Sequence, residues 1–151
     1  MKPHPDFVDT TLPRQAGVGA WHLTPLSVAQ VDEDFEAVTE SERVLVGIFG
    51  SDWPIGLTLE GNLIDMGWHD REFIAKRSFA WIIRDAEGRY SGCAYLYPEI
   101  GARGQGEVVT WMTDTRDRLA RLAAFNAAFR DWLAAYLPEG YALAWTSNDQ
   151  P

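Results

Sequence analysis

The chain predicts an α/β (α+β) fold built on a mixed, mainly antiparallel twisted sheet, and two observations carry that reading. From Ser78 to Asn148 the order is strand, hairpin turn, strand, strand, long helix, strand. The helix stands between two strands, and such a crossover puts the strands it joins parallel, beside an otherwise antiparallel set.

Each element has its own warrant. Phe79, Trp81 and Ile83 alternate with Ala80, Ile82 and Arg84, the period-two pattern of a strand with one face buried. Asp85 to Arg89 supplies a short turn in which Gly88 is free to take positive φ. The chain returns as a strand from Tyr90 to Tyr97 until Pro98 removes an amide donor. A third strand, Glu107 to Thr113, feeds a helix from about Thr115 to Leu137, where Leu119, Leu122, Phe125, Phe129, Trp132 and Tyr136 recur at helical spacing. Pro138 to Gly140 end that helix, and Tyr141 to Thr146 form the last strand.

In the first half, Ala20 to Leu23 reads as an edge strand. Thr24-Pro25 with Ser27 and Gln30 reads as a helix start with a capping box. Val28, Val31, Phe35 and Val38 mark one helical face; Val44 to Phe49 suits a short helix, with a buried strand as the alternative. Gly50 to Gly56 is a loop, and Leu59, Leu63, Met66 and Phe73 mark a helix running into Arg77. No repeat or linker divides the chain, so residues 1–151 read as one domain, with residues 1–15 a loose arm.

Composition narrows the function. A net charge of −9 argues against a nucleic acid partner, which needs clustered cations to neutralise phosphate. No apolar run is long enough to span a bilayer and no leader-like stretch follows Lys2, so a cytoplasmic protein without membrane attachment is expected. The single cysteine, Cys93, sits in an apolar strand with no basic neighbour and reads as a small buried side chain. His4 and His22 have no partners in sequence, and no metal-ligand spacing occurs, so no metal is expected.

Three groups of residues then carry a resemblance. Phe79-Ala80-Trp81 with Asp85 and Gly88, Gly92-Cys93-Ala94-Tyr95-Leu96-Tyr97-Pro98, and Gly106-Glu107-Val108-Val109 with Trp111 resemble the second, third and fourth strands of a bacterial branch of the GNAT superfamily, the acyl-coenzyme A dependent N-acetyltransferases. The match covers the C-terminal half well and the N-terminal half loosely. The resemblance implies helices on both sheet faces, acetyl-CoA as co-substrate and a small-molecule or peptide amine as acceptor. Glu107 falls at the glutamate that many members carry on the fourth strand and is the candidate general base, with a solvent-facing strand residue as the alternative. Backbone amides of Val109, Thr110 and Trp111 would polarise the acyl carbonyl if the strand splays there. Arg116 and Arg118 offer phosphate contacts, and Asn148 matches an asparagine that often follows the fifth strand.

The resemblance also has departures. The family's pyrophosphate loop, Gln or Arg, two residues, Gly, one residue, Gly or Ala, corresponds here to Thr113-Asp114-Thr115-Arg116-Asp117-Arg118, with no glycine and two acids. Asp114 or Thr115 reads there as a helix N-cap. Gly101 to Gly106 mimics the glycine loop in letters but lies at the wrong end of its strand, roughly 20 Å away, and reads as a flexible connection. The tyrosine that usually serves as general acid lies in a helix after the fifth strand and has no counterpart before Pro151. Tyr95 and Tyr97 stand as replacements or as packed aromatics. Trp53, Trp68, His69 and Tyr97 are the candidate acceptor-binding residues, with Trp111 a further groove-lining candidate. The function expected is an N-acetyltransferase. The alternative is a non-catalytic module of the same fold, and a homodimer through the last strand's edge is compatible with both.

Overall fold

The computed structural model describes residues 1–151 as one six-stranded sheet. Its strands are β1 (Ala16–Val18), β2 (Trp21–Pro25), β3 (Phe79–Arg84), β4 (Tyr90–Pro98), β5 (Gln105–Met112) and β6 (Ala142–Ser147), ordered in space as in sequence. All neighbours are antiparallel except β5 and β6, which run parallel. The helices are α1 (Val31–Glu40), α2 (Glu42–Leu45), α3 (Leu59–Ile74) and α4 (Arg118–Ala134). The mixed α+β fold with helices on both faces is therefore observed.

Alternation along the strands builds two cores. Phe79, Trp81 and Ile83 point to the face covered by α4, where Leu122, Phe125, Phe129 and Leu133 meet them. Ala80 and Ile82 point to the other face, with Val38 of α1, Leu45 of α2 and Met66 of α3. So β3 is buried on both sides, against the one-faced burial its sequence suggested. Alanine and arginine within the run hid the second buried face.

Several expectations are corrected. The first dozen residues are no loose arm: Phe7 and Leu12 are fully buried, and Phe7 packs edge-on against Phe79 at 4.9 Å. His4 finds the Glu99 carbonyl at 2.7 Å, and Asp6 accepts the Gly104 amide at 2.9 Å. That bond ties down the Gly101–Gly106 connection, which was expected to be flexible. The strand read as Ala20 to Leu23 is β2, and it lies inside the sheet because β1, too short to show a period, pairs along it. Ser27 does not cap a helix; its hydroxyl donates to Gln30 Oε1 at 2.7 Å beside a single 3₁₀ turn. Helix α2 stops at Leu45, so Ile48 and Phe49 lie in turns. On α3 the buried face is Asn62, Met66, His69 and Phe73, while Leu59 and Leu63 face solvent; two polar residues on the core side disguised the stripe. No helix is long and apolar enough to cross a membrane.

Candidate active site

The site is built where β5 and β6 part company and α4 begins. The parallel register runs from Gln105 opposite Ala142 to Thr110 opposite Ser147. Beyond it β5 enters the turn Thr113 to Asp117, and α4 starts at Arg118, later than the Thr115 read from sequence. Its N-cap is Asp117, not Asp114 or Thr115, and the Asp117 side chain makes no capping bond. It accepts instead from Thr115 Oγ1 at 2.8 Å and Arg121 Nε at 3.1 Å, and these contacts hold its carboxyl below the usual range. A 17-residue helix thus begins without a side-chain cap: the Arg118 amide bonds Thr115 O at 3.1 Å, and the Leu119 and Ala120 amides are left without a partner at the positive dipole end.

The two acids that seemed to bar an anion are neutralised. Arg43 of α2 donates to both oxygens of Asp114, at 3.0 and 2.8 Å, and pulls that carboxyl below its ordinary value. Arg43, Asp114, Thr115, Arg116, Arg118, Leu119 and Pro151 line a cleft of about 410 Å³. With Arg121 beside it, four arginines face two aspartates that are already paired. A second cleft of about 340 Å³ shares Arg43 and Pro151 with the first and continues past Gly47 and Ile48 to Thr146, Ser147 and Asn148. The path from the α4 start to Thr146 is therefore continuous in its lining. Residues of this make-up fit an extended ligand whose anionic end lies on the arginine side, since the other end offers hydroxyl and amide groups and one carboxylate, Asp149.

The expected cofactor residues fall into two groups. Arg116 is exposed on the first cleft. Val109, Thr110 and Trp111 do not offer free amides, because the splay begins after them. Thr113 N–H bonds Ser91 O at 2.9 Å, so the antiparallel alternation turns the groups of Val109 and Trp111 toward β4. Thr110 lies within the β6 register, and its hydroxyl is held by Asn126 at 2.7 Å and Ser147 at 2.6 Å. The Trp111 ring is completely buried, its indole N–H toward Tyr95, so it lines no groove.

The open backbone edge is at Met112, and Asn148 covers it. Its side-chain amide accepts from Met112 N–H at 3.1 Å and donates to Met112 O at 2.9 Å. Arg118 is not a free phosphate ligand: it is 4% exposed, and its guanidinium donates to the carbonyls of Asn148 and Gln150. Neither role was readable from sequence, since both depend on which carbonyls the fold brings to α4.

The acceptor candidates gather on the α1–α3 face of the sheet. Tyr95 and Tyr97 stack at 5.8 Å, His69 tilts against both at 5.3 and 6.5 Å, and Trp68 meets His69 at 5.0 Å. Phe49 joins Trp53 to Tyr95, at 5.0 and 5.3 Å. Trp53, Trp68, His69 and Tyr97 therefore form one aromatic wall, of which His69 is the buried member, 3.4 Å from Asp65. Burial raises the Tyr97 hydroxyl pKa far above its ordinary range, and the Asp65 and Glu107 charges add to it. Tyr95 is shifted the same way by its burial.

Glu107 is exposed beside this wall, opposite Tyr97 in the β4–β5 ladder. It is not at the splay: Met112 lies five residue steps along the strand, roughly 17 Å away. What connects it to the cleft is Thr146, whose hydroxyl donates to Glu107 Oε1 at 3.0 Å while lining the second cavity. Sequence reasoning missed Thr146 and Arg43, because only the β5–β6 register and the α2–α4 approach bring them to the site.

One buried polar group lies behind the wall. Asp34 of α1 accepts from Asn62 at 2.9 Å and from the Tyr90 hydroxyl at 2.5 Å, with Cys93 Sγ 2.9 Å from that hydroxyl. Burial raises the Asp34 pKa, and the Tyr90 and Asn62 hydrogen bonds only partly oppose it. Burial also pushes the Cys93 thiol well up, which suits an inert core residue.

A six-stranded sheet of this order, with a parallel last pair opening over a helix start, is the fold of the GNAT acetyltransferases. RimL, a ribosomal L7/L12 alpha-N-protein acetyltransferase solved in complex with coenzyme A, matches with a TM-score of 0.66 over 80% of this chain and 67% of its own, at 12% identity. A GCN5-related N-acetyltransferase from Brucella melitensis matches at 0.61 and 20% identity, over 93% of this chain and 61% of its own. The Microcin C7 self immunity acetyltransferase MccE, in complex with acetyl-CoA and AMP, matches at 0.59 and 7% identity, over 87% and 71%. No protein-family model matches the chain, and no curated protein matches it in sequence.

Proposed function

We propose that this protein is an N-acetyltransferase that uses acetyl-CoA to acylate an amine. The observation that carries the reading is the uncapped start of α4 amid Arg43, Arg116, Arg118 and Arg121, opening into a cleft that ends at Thr146. A pyrophosphate is the anion such a helix end takes even without a glycine loop. The structural neighbours bound to coenzyme A or acetyl-CoA support the same ligand class.

Acetyl-CoA supplies an activated acyl thioester. Arg43, Arg116 and the first amides of α4 hold its anionic end, and Met112 offers the strand edge. The acceptor arrives as an ammonium along the aromatic wall of Trp53, Trp68, His69 and Tyr97. Thr146 already donates its proton to Glu107, so its lone pairs are free toward the cleft and accept an ammonium N–H. The proton passes through Thr146 to the Glu107 carboxylate as the Thr146 proton moves on. The freed nitrogen then bonds to the acyl carbon, the carbon–sulfur bond breaks with its electron pair leaving on sulfur, and the second proton lost by the nitrogen goes to that thiolate, so the carrier departs as the free thiol.

Calorimetric titration with acetyl-CoA, followed by an amine screen, tests this. Saturable binding and product formation are expected; no binding at millimolar concentration ends the proposal. The rival is a non-catalytic module binding a small molecule or protein in the same groove, favoured by the glycine-free loop. Turnover that is lost on Glu107→Gln excludes it. A homodimer and a cytoplasmic location complete the reading. Strand β6 is an uncharged sheet edge suited to a second copy, and Cys93 is a free, buried thiol. Light scattering that returns a monomer mass at high concentration removes the dimer, and cell fractionation checks the location.

A further inference from the structure

We infer that Asn148–Gln150 is a latch on the carrier cleft, so that the segment and an acyl carrier compete for the same groups. This rests on the carrier-binding reading above. The Asn148 side chain presents a carbonyl and an N–H together to the Met112 backbone, completing a two-bond pairing past the last β5–β6 partners. Any ligand amide that is to pair with that edge must displace it. Coenzyme A carries such amides in its arm, and no other backbone groups of β5 are open on the β6 side of the cleft.

The second half of the latch is electrostatic. Arg118 is a buried cation at the start of α4 with no carboxylate in hydrogen-bond contact; two carbonyls of the same segment take its guanidinium. Carbonyl dipoles compensate a buried guanidinium less well than a phosphate does. When an anion enters beside Arg116, Arg118 has a better partner, and leaving Asn148 and Gln150 releases the segment that covers Met112. Anion binding and edge opening are thereby coupled, since one side chain reads both. Pro151, which lines both cavities, moves with the segment and widens the passage between them.

The test uses desulfo-coenzyme A as the probe, titrated by calorimetry into the full chain and into Asn148→Ala, with hydrogen exchange of the Asn148 side-chain amide, which donates to Met112 O, followed in the wild type. The latch predicts about tenfold tighter binding by the variant, some 1.4 kcal/mol, and faster exchange of the Asn148 side-chain amide when the wild type is saturated. Equal or weaker binding by a folded Asn148→Ala overturns the latch and leaves the acetyltransferase reading standing. If the variant does not fold, the wild type decides: exchange that slows or stays unchanged on saturation overturns the latch. Absence of binding in both proteins removes the carrier reading and the latch together. Binding by the variant alone establishes both.

Discussion

Glu107 and Thr146 divide one task, and single substitutions separate their parts. Removing the carboxylate by Glu107→Gln should lower kcat about 10²-fold or more while carrier affinity holds, because Glu107 lies outside the cleft that takes the carrier. Thr146→Val should fall in the same direction and Thr146→Ser should retain activity; a valine variant with full kcat would show that Glu107 is reached without it. Asp34 makes a prediction of a different kind. Its carboxyl keeps its proton to higher pH in the folded state than the ordinary aspartate value of 3.8, since burial penalises the charge. In the window between 3.8 and that raised value the unfolded chain binds fewer protons, so stability declines as pH rises through it and the cost stays at neutral pH. Asp34→Asn keeps an acceptor for Tyr90 and, after an amide rotation at Asn62, a partner there too. Denaturant melts should show the variant's stability flat across this window and about 1 kcal/mol above wild type at pH 7. A loss that appears only at the upper end of the window, where Asp34 is ionised, would mean that the charge itself is needed.

Strands with strong alternation and the long α4 helix were legible in sequence because their apolar residues are large and regularly spaced. The failures have physical causes. The α4 start was placed at Thr115 because threonine and aspartate are good caps, yet Asp117 holds the N-cap position and its carboxylate is drawn away by Thr115 and Arg121. The α3 face was misassigned because Asn62 and His69 are buried through partners on other elements. In the site, the aromatic residues Trp53, Trp68, His69 and Tyr97 stand out in sequence by their type, whereas the Arg43–Asp114 and Thr146–Glu107 pairs span 71 and 39 residues and have no local signature. The β4–β5 pair supplies the test at this level. Gly92 lies opposite Met112, and a Cβ there would sit 1.9 Å from the Trp111 carbonyl oxygen. Gly92→Ala must push the two strands apart where the cleft opens, so we expect a loss of about 3 kcal/mol in denaturant melts, at the upper end of overpacking costs. A variant within 0.5 kcal/mol of wild type, about the scatter of a neutral surface change, would mean that the strands do not approach this closely.

For the whole molecule the governing fact is charge: −9 overall, with Glu33, Glu36 and Glu40 of α1 lining a hollow that meets the arginine cleft at Asp114 and Thr115. An anionic carrier approaches against the net field and is held by a local one, so the two respond to salt in opposite senses. Screening weakens the long-range repulsion within a Debye length of about 8 Å at physiological ionic strength, and it also weakens the arginine contacts on the exposed side of the cleft. The contacts are fewer but closer, and they set the dissociation rate. Raising salt from 50 to 500 mM should therefore raise koff for desulfo-coenzyme A while kon holds or increases, the reverse of the usual steered association. Arg43→Ala isolates the local part. Besides removing one cation it releases Asp114 into the cleft as an unpaired carboxylate, so its affinity loss should exceed that of Arg116→Ala, and Asp114→Asn added to Arg43→Ala should restore part of it. Stopped-flow binding with these variants checks the assignment. Should Arg43→Ala bind like the wild type at both salt concentrations, the anion does not rest at the start of α4, and the cleft takes a ligand of another charge.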